Sequence, residues 1–221
     1  AAQESRGLGD VYKRQGIDAL KKARSYQPFV DFDFQDFAGG YLRDLQRTLE
    51  DLSRDDLESL YHEVVSAIGR DATIHFVGNG GSAATPSHSA GDWSKELRVR
   101  TISHVDNAAS LTAFANDVSY EDVFVGQLTT FLRDGDLVIG FSGSGTSENV
   151  VRALEFARGR SCRTAAITGD YRGGGGGKLP SIVDVCLVVP SNSMERIEDL
   201  QLIVNHVIKE AVKSSGHVRN G

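Results

Sequence analysis

Alternation of short apolar segments with amphipathic segments, from residue 73 to residue 213, constrains the fold of this 221-residue chain more than any other feature. Strands are expected at residues 73–77, 101–105, 136–141, 163–168 and 182–189. Helices are expected between and after them, at residues 82–97, 108–115, 121–132, 149–158 and 196–213. Such alternation predicts a parallel sheet covered by helices on both faces. The predicted fold class is therefore α/β, with a doubly wound five-stranded parallel sheet.

Residues 36–70 predict a helical hairpin ahead of this sheet. Two leucine-rich helical stripes are separated by Ser53 to Asp56, which is typical of a capping box. Such a pair packs either on its own domain or against a partner subunit, and both options stay open. The expected organisation is a helical segment at 16–70, the α/β domain at 71–215 and a tail at 216–221.

The first fifteen residues are treated apart from the fold. Residues 4–15 resemble the translated read-through of a sequencing adapter. We therefore expect residues 1–15 to be a non-native leader without functional weight.

Composition excludes some classes of protein. The formal net charge is −6 and the chain has no basic stripe, so nucleic acid is not expected as the main partner. The sequence contains no apolar run of 18 residues and no apolar core of a secretory signal near its start, so no membrane association is expected. The cytoplasm is the expected location.

A loop of serine and glycine from Ser142 to Ser147 joins an apolar strand to a helix. At such a junction the helix dipole and free backbone N–H groups meet, and glycines let an anion approach closely. The hydroxyl groups add further donors, so a phosphate monoester is the expected ligand. No lysine follows a Gly-x-x-x-x-Gly frame, which excludes a nucleoside-triphosphate loop. A flexible turn is the alternative, but linkers rarely stand between a buried strand and an amphipathic helix.

A second glycine-rich turn, Gly78 to Ser82, follows the first strand. A ligand-facing role is favoured over a simple tight turn, because parallel strands place both loops at one edge of the sheet. The turn lacks the Gly-x-Gly-x-x-Gly pattern, so a dinucleotide is not expected. The run Gly173 to Gly177 is expected near the same edge as an unpacked flexible loop, with a mobile lid as the less favoured option.

Two pairs of titratable residues have helical spacing. His88 and Asp92 are four residues apart and share one helix face, which suits a metal site or an acid–base pair. On spacing alone, a structural helix contact is the favoured interpretation. Glu198 and His206 share a face of the last helix but are separated by roughly 12 Å along its axis. A solvated polar stripe is the alternative for this second pair.

The remaining histidines and the cysteines are interpreted as structural. His75 lies inside the first strand and is expected in the core, whereas His62 and His217 are expected at the surface. Cys162 and Cys186 lie in or beside apolar segments without C-x-x-C spacing. Both are expected to behave as small buried hydrophobic residues in a reducing compartment.

Taken in order, the turn at 78–82, the loop at 142–147 and the segment from Arg196 to His206 resemble the sugar isomerase (SIS) domain. Within that group the chain is most similar to phosphoheptose isomerases, which convert sedoheptulose 7-phosphate to a heptose 7-phosphate. The resemblance covers about residues 36–213. It implies a SIS-type, flavodoxin-like fold and a homotetramer with active sites between subunits, which the hairpin helps to form.

The resemblance also implies roles for individual residues. It assigns phosphate binding to the serine loop, at Ser142, Gly143, Ser144, Thr146 and Ser147. It assigns sugar contacts to Asn79, Gly80, Ser82, Asn116, Asp117 and Glu198. It assigns a Zn²⁺ site, or that of another divalent metal, to His88, Asp92, Glu198 and His206. Asp92 and His206 are the implied proton-transfer groups.

Two positions depart from the family pattern. Asp92 stands where the family has a glutamate, so the carboxylate is one methylene shorter. Glu198 stands where the family has a glutamine, which adds a charge and makes a set of two histidines and two carboxylates that favours Zn²⁺. These departures suggest a subfamily apart from the lipopolysaccharide enzymes.

The expected reaction is an aldose–ketose isomerisation of a sugar phosphate through an enediol, most simply of sedoheptulose 7-phosphate to D-glycero-heptose 7-phosphate. Asp92 and His206 move the proton, and a metal or hydrogen-bond donors stabilise the enediolate. One alternative is a non-catalytic SIS protein that binds the replication initiator or senses a sugar phosphate. It is disfavoured because the chain keeps titratable groups at both positions. Another alternative is a different SIS isomerase, for an aminosugar or arabinose phosphate.

Overall fold

The computed structural model describes residues 33–217. The expected leader at 1–15 and residues 218–221 of the expected tail lie outside the described residues. The chain divides into two compact units, residues 1–43 and residues 44–221. The second unit contains every strand of the described part.

Within residues 33–217 the structure has five strands and eight α-helices. The strands are β1 (Ile74–Gly78), β2 (Thr101–Ser103), β3 (Leu137–Ser142), β4 (Arg163–Gly169) and β5 (Val185–Val189). The helices are α1 (Phe34–Glu50), α2 (Arg54–Gly69), α3 (Gly81–Leu97), α4 (Ala108–Asp117), α5 (Val123–Phe131), α6 (Glu148–Arg158), α7 (Leu179–Ile182) and α8 (Met194–Ser214). Single 3₁₀ turns lie at Tyr120–Asp122 and Tyr171–Gly173. Within the described range, every helix is too short or too polar to cross a lipid bilayer.

All strand pairs are parallel, in the order β2-β1-β3-β4-β5, which confirms the predicted doubly wound sheet. The winding reverses at β1, because β2 lies on one side of it and β3 to β5 lie on the other. Gly78, the last residue of β1, pairs with Phe141 near the end of β3. The loops after β1 and β3 are therefore neighbours at the switch point, where ligands bind in sheets of this kind.

Both faces of the sheet are covered, so its strands are apolar along their whole length. On one face, Phe76 of β1 packs with Trp93 of α3 and with residues of α2 and α8. On the other face, Val77 and Val138 pack with α5 and α6, including Leu154. This two-layer burial holds α3 and α8 side by side on the first face.

Helix α2 packs on its own domain. Its N-cap, Ser53, accepts a hydrogen bond from the backbone N–H of Asp56 at 3.2 Å, as the capping-box pattern predicts. Leu60 and Val64 are buried in the core, and the guanidinium of Arg163 donates to both carboxylate oxygens of Glu63. The sequence left open whether the hairpin packs on its own domain or against a partner subunit. The structure shows α2 packed on its own domain.

Two expected strand ends are wrong. Strand β5 begins at Val185 instead of residue 182, because Pro180 lies at the start of the short helix α7, where a fixed φ suits the first helical turn. Strand β2 ends at Ser103 instead of residue 105, and the next side chain, His104, is fully buried.

The expected core position of His75 is confirmed, and it belongs to a buried polar chain. The His75 ring nitrogens lie 3.1 Å from Asp136 Oδ2 and 2.9 Å from His104 Nε2. His104 Nδ1 in turn lies 3.4 Å from Gln127 Oε1. Burial, followed by the neighbouring His75, lowers the pKa of His104 to about 4. Burial also lowers the pKa of His75, so both imidazoles are neutral at pH 7 and the polar chain is structural.

The other residues interpreted as structural also fit that interpretation. His62 and His217 are exposed. Cys162 is buried and Cys186 is partly buried in β5. Burial raises the pKa of the Cys186 thiol to about 12, so this thiol stays protonated and unreactive.

Candidate active site

The serine loop between β3 and α6 forms a compact turn with donors around one opening. Ser142 is buried and donates a hydrogen bond to Ser147 Oγ at 3.3 Å, while its own Oγ accepts from the Gly145 N–H at 3.1 Å. Ser144 and Thr146 share a hydroxyl–hydroxyl contact of 3.0 Å nearer the surface. Ser147 is the N-cap of α6 but gives no side-chain cap, which leaves first-turn amide groups for a ligand.

Charge around this helix start is balanced. Glu148 lies in the first turn of α6, and its carboxylate pairs with Arg152 at 3.0 Å and with Lys178 at 3.2 Å. These cations, Arg152 first, lower the pKa of Glu148. Arg152 is also held by Asp122. The acidic residue beside the loop is therefore neutralised locally, and an anion does not meet a bare carboxylate there.

The glycine run 173–177 packs against the serine loop, so the prediction of an unpacked loop is wrong. The Lys178 N–H donates to the Gly145 carbonyl at 2.9 Å, and a Cβ on Gly145 would overlap the Gly176 carbonyl. A Cβ on Gly177 would lie 2.5 Å from the Ser144 carbonyl. Four glycines of the run have positive φ, which only glycine adopts freely. The run buttresses the serine loop through backbone contacts that leave no room for a side chain.

The turn after β1 forms the opposite wall of the same pocket. Asn79 and Asn149 exchange two amide hydrogen bonds of 2.7 and 3.0 Å, and the Tyr120 hydroxyl donates to Asn79 Oδ1 at 3.0 Å. Gly80 has φ +57°, and Ser82 is buried in the first turn of α3. The pocket between the turn and the serine loop has a volume of about 240 Å³. It is lined by Asn79, Gly80, Gly81, Ser82, Phe141, Ser142, Gly143, Ser144, Ser147, Met194 and Glu198.

Glu198 of α8 closes this pocket on one side. Its carboxylate lies against the backbone of Gly81, where a Cβ would overlap it. Burial, followed by Glu195 and Asp199, raises the pKa of Glu198. No ion pair to Glu198 is found among residues 33–217. An unbalanced carboxylate therefore faces the space where the phosphate is expected.

Helices α3 and α8 lie side by side and lead away from this pocket. The two helices run parallel and in step, because Gly81 lies beside Glu198, His88 beside His206 and Glu96 beside Lys213. From Gly81 to His88 the rise along α3 is roughly 10 Å. The titratable groups of the two helices are therefore placed in one line with the serine-loop pocket.

Three of the four residues assigned to a metal lie together farther along α3 and α8. His88 Nε2 is 2.8 Å from His206 Nε2 and 3.8 Å from Asp92 Oδ2. Ligand atoms of all three lie within 4.8 Å of one another. Neighbouring ligands of a tetrahedral Zn²⁺ site lie roughly 3.3 Å apart, so these two imidazoles and one carboxylate fit such an ion in donor type and spacing. Glu198 is not part of this group, because it lies about two helical turns earlier and lines the serine-loop pocket.

Lys209 of α8 also contacts this group of residues, and the sequence analysis missed it. It is 8% exposed, and its Nζ donates to Asp92 Oδ2 at 2.7 Å and lies 3.5 Å from Glu96 Oε1. The ammonium of Lys209 lowers the pKa of Asp92, and Asp92 raises the pKa of Lys209. The carboxylate is therefore held ionised at neutral pH.

Asn116 and Asp117 lie at the exposed C-terminal end of α4, where the Asn116 amide donates to the Asp117 carboxylate at 2.8 Å. Neither lines the pocket at the serine loop. A second cavity of about 260 Å³ on the far side of Asn79 reaches Ala115 of the same helix. A sugar-contact role for the pair stays a prediction.

Local sequence signals exist for two of the three residues that were missed. Lys209 is three residues after His206 on the same helical face, the spacing at which side chains meet. Asn149 is two residues after Ser147, in the first turn of the helix that follows the loop. Tyr120 follows α4 in a 3₁₀ turn, and no local signal marks it.

Comparison with protein families gives one match to this part of the chain. The sequence profile described as SIS domain matches residues 40–169, which include the turn after β1 and the serine loop.

Individual proteins are similar over a longer range. A phosphoheptose isomerase from Akkermansia muciniphila is 34% identical over 72% of this chain and 84% of that protein. One from Roseiflexus is 34% identical over 77% of this chain and 87% of that protein. The solved structure of a phosphoheptose isomerase from Neisseria gonorrhoeae has 27% sequence identity and a TM-score of 0.77, covering 82% of this chain and 100% of that chain.

Proposed function

We propose that this chain, which belongs to the SIS domain family, is an aldose–ketose isomerase that converts sedoheptulose 7-phosphate to D-glycero-heptose 7-phosphate. One observation carries the proposal: α3 and α8 run side by side and place the group formed by His88, Asp92 and His206 in line with the serine-loop pocket, about two helical turns from Glu198. Its phosphoheptose isomerase relatives support a sugar phosphate as the substrate class.

The serine loop would hold the phosphate end of the substrate. Its hydroxyl groups, the open N-terminus of α6 and the buttressing glycines give a rigid set of donors. Fixing one end of an open-chain sugar lets its other end extend along α3 and α8, where His88 lies roughly 10 Å along the helix axis from Gly81. Phosphate binding energy thus serves to orient the reacting carbons.

Proton transfer is assigned to Asp92 and His206. Isomerisation removes a proton from the carbon next to the carbonyl, passes through an enediol and returns a proton to the neighbouring carbon. Asp92 is ionised and partly buried, as a base at carbon requires. The His206 imidazole lies on the facing helix, where it can exchange a proton with the two substrate oxygens.

A divalent ion, most simply Zn²⁺, would be held by His88, Asp92 and His206. When bound, such an ion acts as a Lewis acid that polarises the carbonyl and stabilises the enediolate. Glu198, which lies apart from these ligands, is instead assigned to accept a hydrogen bond from a sugar hydroxyl.

We also propose a homotetramer located in the cytoplasm, where phosphorylated sugars are metabolised. An apolar groove of about 270 Å³ supports self-association. Its lining includes Leu49 and Val207, which are 41% and 42% exposed. Burial of such residues favours association.

A turnover assay with sedoheptulose 7-phosphate tests the proposal, with Asp92→Asn and His206→Ala compared against the wild type. Both variants are expected to lose at least about a hundredfold in turnover and to keep substrate binding, because the serine loop is unchanged. His62→Ala, an exposed control, is expected to keep wild-type activity.

Near-normal rates in both variants would remove these catalytic assignments. A wild-type protein that binds the sugar phosphate without turning it over would instead support a sensing or protein-binding role. Turnover of an aminosugar or arabinose phosphate alone would favour another SIS isomerase.

A further inference from the structure

Lys209 is unusual in its position, because a buried ammonium group lies directly beside a group of metal-type ligands. Within residues 33–217 it is the lysine in direct contact with that group. Its side chain is 9% exposed, and its Nζ lies 2.7 Å from Asp92 Oδ2. This oxygen is also the one 3.8 Å from His88 Nε2.

The ammonium and a divalent ion would compete for one carboxylate. A metal ion bound by His88, His206 and Asp92 would place two positive charges within a few ångströms of the Lys209 ammonium. In a partly buried site, unscreened repulsion between such charges is large, so the ion binds well only if the ammonium moves. Metal affinity is then reduced by the free energy of that displacement.

A nearby acceptor makes such a displacement feasible. Lys209 Nζ lies 3.5 Å from Glu96 Oε1, one helical turn farther along α3. Glu96 is already paired with Lys213 through its other oxygen at 2.9 Å. Glu210 offers a more exposed carboxylate, 3.6 Å from Nζ. The ammonium can therefore leave Asp92 without losing every anionic partner.

We propose that Lys209 is a built-in cation that competes with a divalent metal ion for Asp92 and thereby sets the metal affinity of the site. In the metal-free protein Lys209 balances Asp92, and in the metal-bound protein it moves to Glu96. The inference rests on the metal site of the proposed function, but it does not depend on the sugar or the reaction.

The test is a calorimetric titration of chelator-treated protein with Zn²⁺. Lys209→Met removes the competing charge, so the variant is expected to bind Zn²⁺ at least about tenfold more tightly than the wild type. Lys213→Met, which removes an exposed ammonium that is not in contact with Asp92, is the matched control and is expected to change affinity by less than about threefold. Lys209→Gln, which keeps a polar side chain, is expected to behave as Lys209→Met does.

A comparison of two glutamate variants keeps the test informative if the Lys209 variants fold poorly, and thermal unfolding gives a second readout where they fold. Glu96→Gln removes the acceptor for the displaced ammonium and is expected to weaken Zn²⁺ binding several-fold, whereas Glu210→Gln, with the same charge change, is expected to weaken it less. Thermal unfolding with and without Zn²⁺ is expected to show a larger stabilisation by the metal in Lys209→Met than in the wild type.

The outcomes distinguish the role of Lys209 from the existence of the metal site. Equal or weaker Zn²⁺ binding by both Lys209 variants, while His88→Ala abolishes it, would overturn the role of Lys209 and leave the metal site intact. Absence of Zn²⁺ binding by every variant would overturn both the metal site and the role of Lys209. Neither result would affect the turnover assay, which tests the isomerase independently.

Discussion

The two ends of the candidate site are built differently. The end at the serine loop, called the phosphate end after its proposed ligand, consists of backbone and small hydroxyls from two loops at the sheet edge, held by glycine contacts that leave no space for a side chain. The far end consists of long side chains from α3 and α8, joined across the two helices by contacts of 2.7 and 2.8 Å between residues from distant parts of the chain. A backbone site changes little with sequence if its glycines are kept. A side-chain site can gain or lose a charge, as with Lys209, without a change of fold.

This difference predicts how each end responds to substitution. The phosphate end should fail abruptly when a Cβ is added, because neither wall can move. The far end should adjust in affinity and proton chemistry while the fold stays intact. Substitution of Glu198, which lies between the two ends, should have a small and purely electrostatic effect on phosphate affinity.

The largest effect is expected from Gly145→Ala. Gly145 has φ +65°, and a Cβ there would overlap the Gly176 carbonyl, so the serine loop must shift. Turnover should fall at least about a hundredfold through lost positioning, and the free energy of unfolding should fall by about 2–4 kcal/mol. An activity assay measures the turnover, and urea unfolding measures the free energy of unfolding. Gly69→Ala, where a Cβ meets nothing within 4 Å, is the control, and equal behaviour of the two variants would contradict a rigid backbone site.

The next largest effect is expected for His104, which belongs to the buried polar chain that links Asp136, His75, His104 and Gln127. The folded-state pKa of His104 is lowered from 6.5 to about 4. The stability that this group contributes is therefore present above pH 6.5 and is lost as the pH falls from 6.5 towards 4, by roughly 3 kcal/mol at the limit.

Urea unfolding at several pH values measures this loss. His104→Gln cannot be protonated and should show a flatter dependence on pH over the same window. The exposed His62→Gln should keep the wild-type slope. Equal slopes for the wild type and His104→Gln would show that His104 does not govern acid stability.

The smallest effect is expected from Glu198→Gln. Burial raises the pKa of Glu198, and above that pKa the ionised carboxylate repels a bound phosphate. Wild-type phosphate affinity should therefore weaken as the pH rises above the raised pKa. The Glu198→Gln variant should lack this pH dependence. Titration with inorganic phosphate at neutral pH should show binding a few-fold tighter in the variant. Glu195→Gln carries the same charge change outside the pocket, and an equal gain there would argue against a specific role of Glu198.

Much of the fold and of the phosphate end could be predicted from the sequence because their signals are local. The strand–helix alternation and the loop from Ser142 to Ser147 depend on neighbouring residues, and the structure places them as expected. The glycine run 173–177 was misjudged because its role depends on contact with Gly145, which lies elsewhere in the sequence.

The far end was only partly predictable. Helical spacing paired His88 with Asp92, but helix packing decides which residue of α8 each one meets. That packing brings Lys209 to Asp92 and takes Glu198 to the phosphate pocket, and neither result follows from spacing within one helix.

The most direct measurement is an incubation of the wild-type protein with sedoheptulose 7-phosphate in D₂O, followed by NMR. An enediol route with proton transfer by Asp92 and His206 predicts an aldose phosphate that carries deuterium at C2, with formation lost in Asp92→Asn and His206→Ala. Bound sedoheptulose 7-phosphate that stays unconverted and free of deuterium in the wild type would contradict the isomerase assignment.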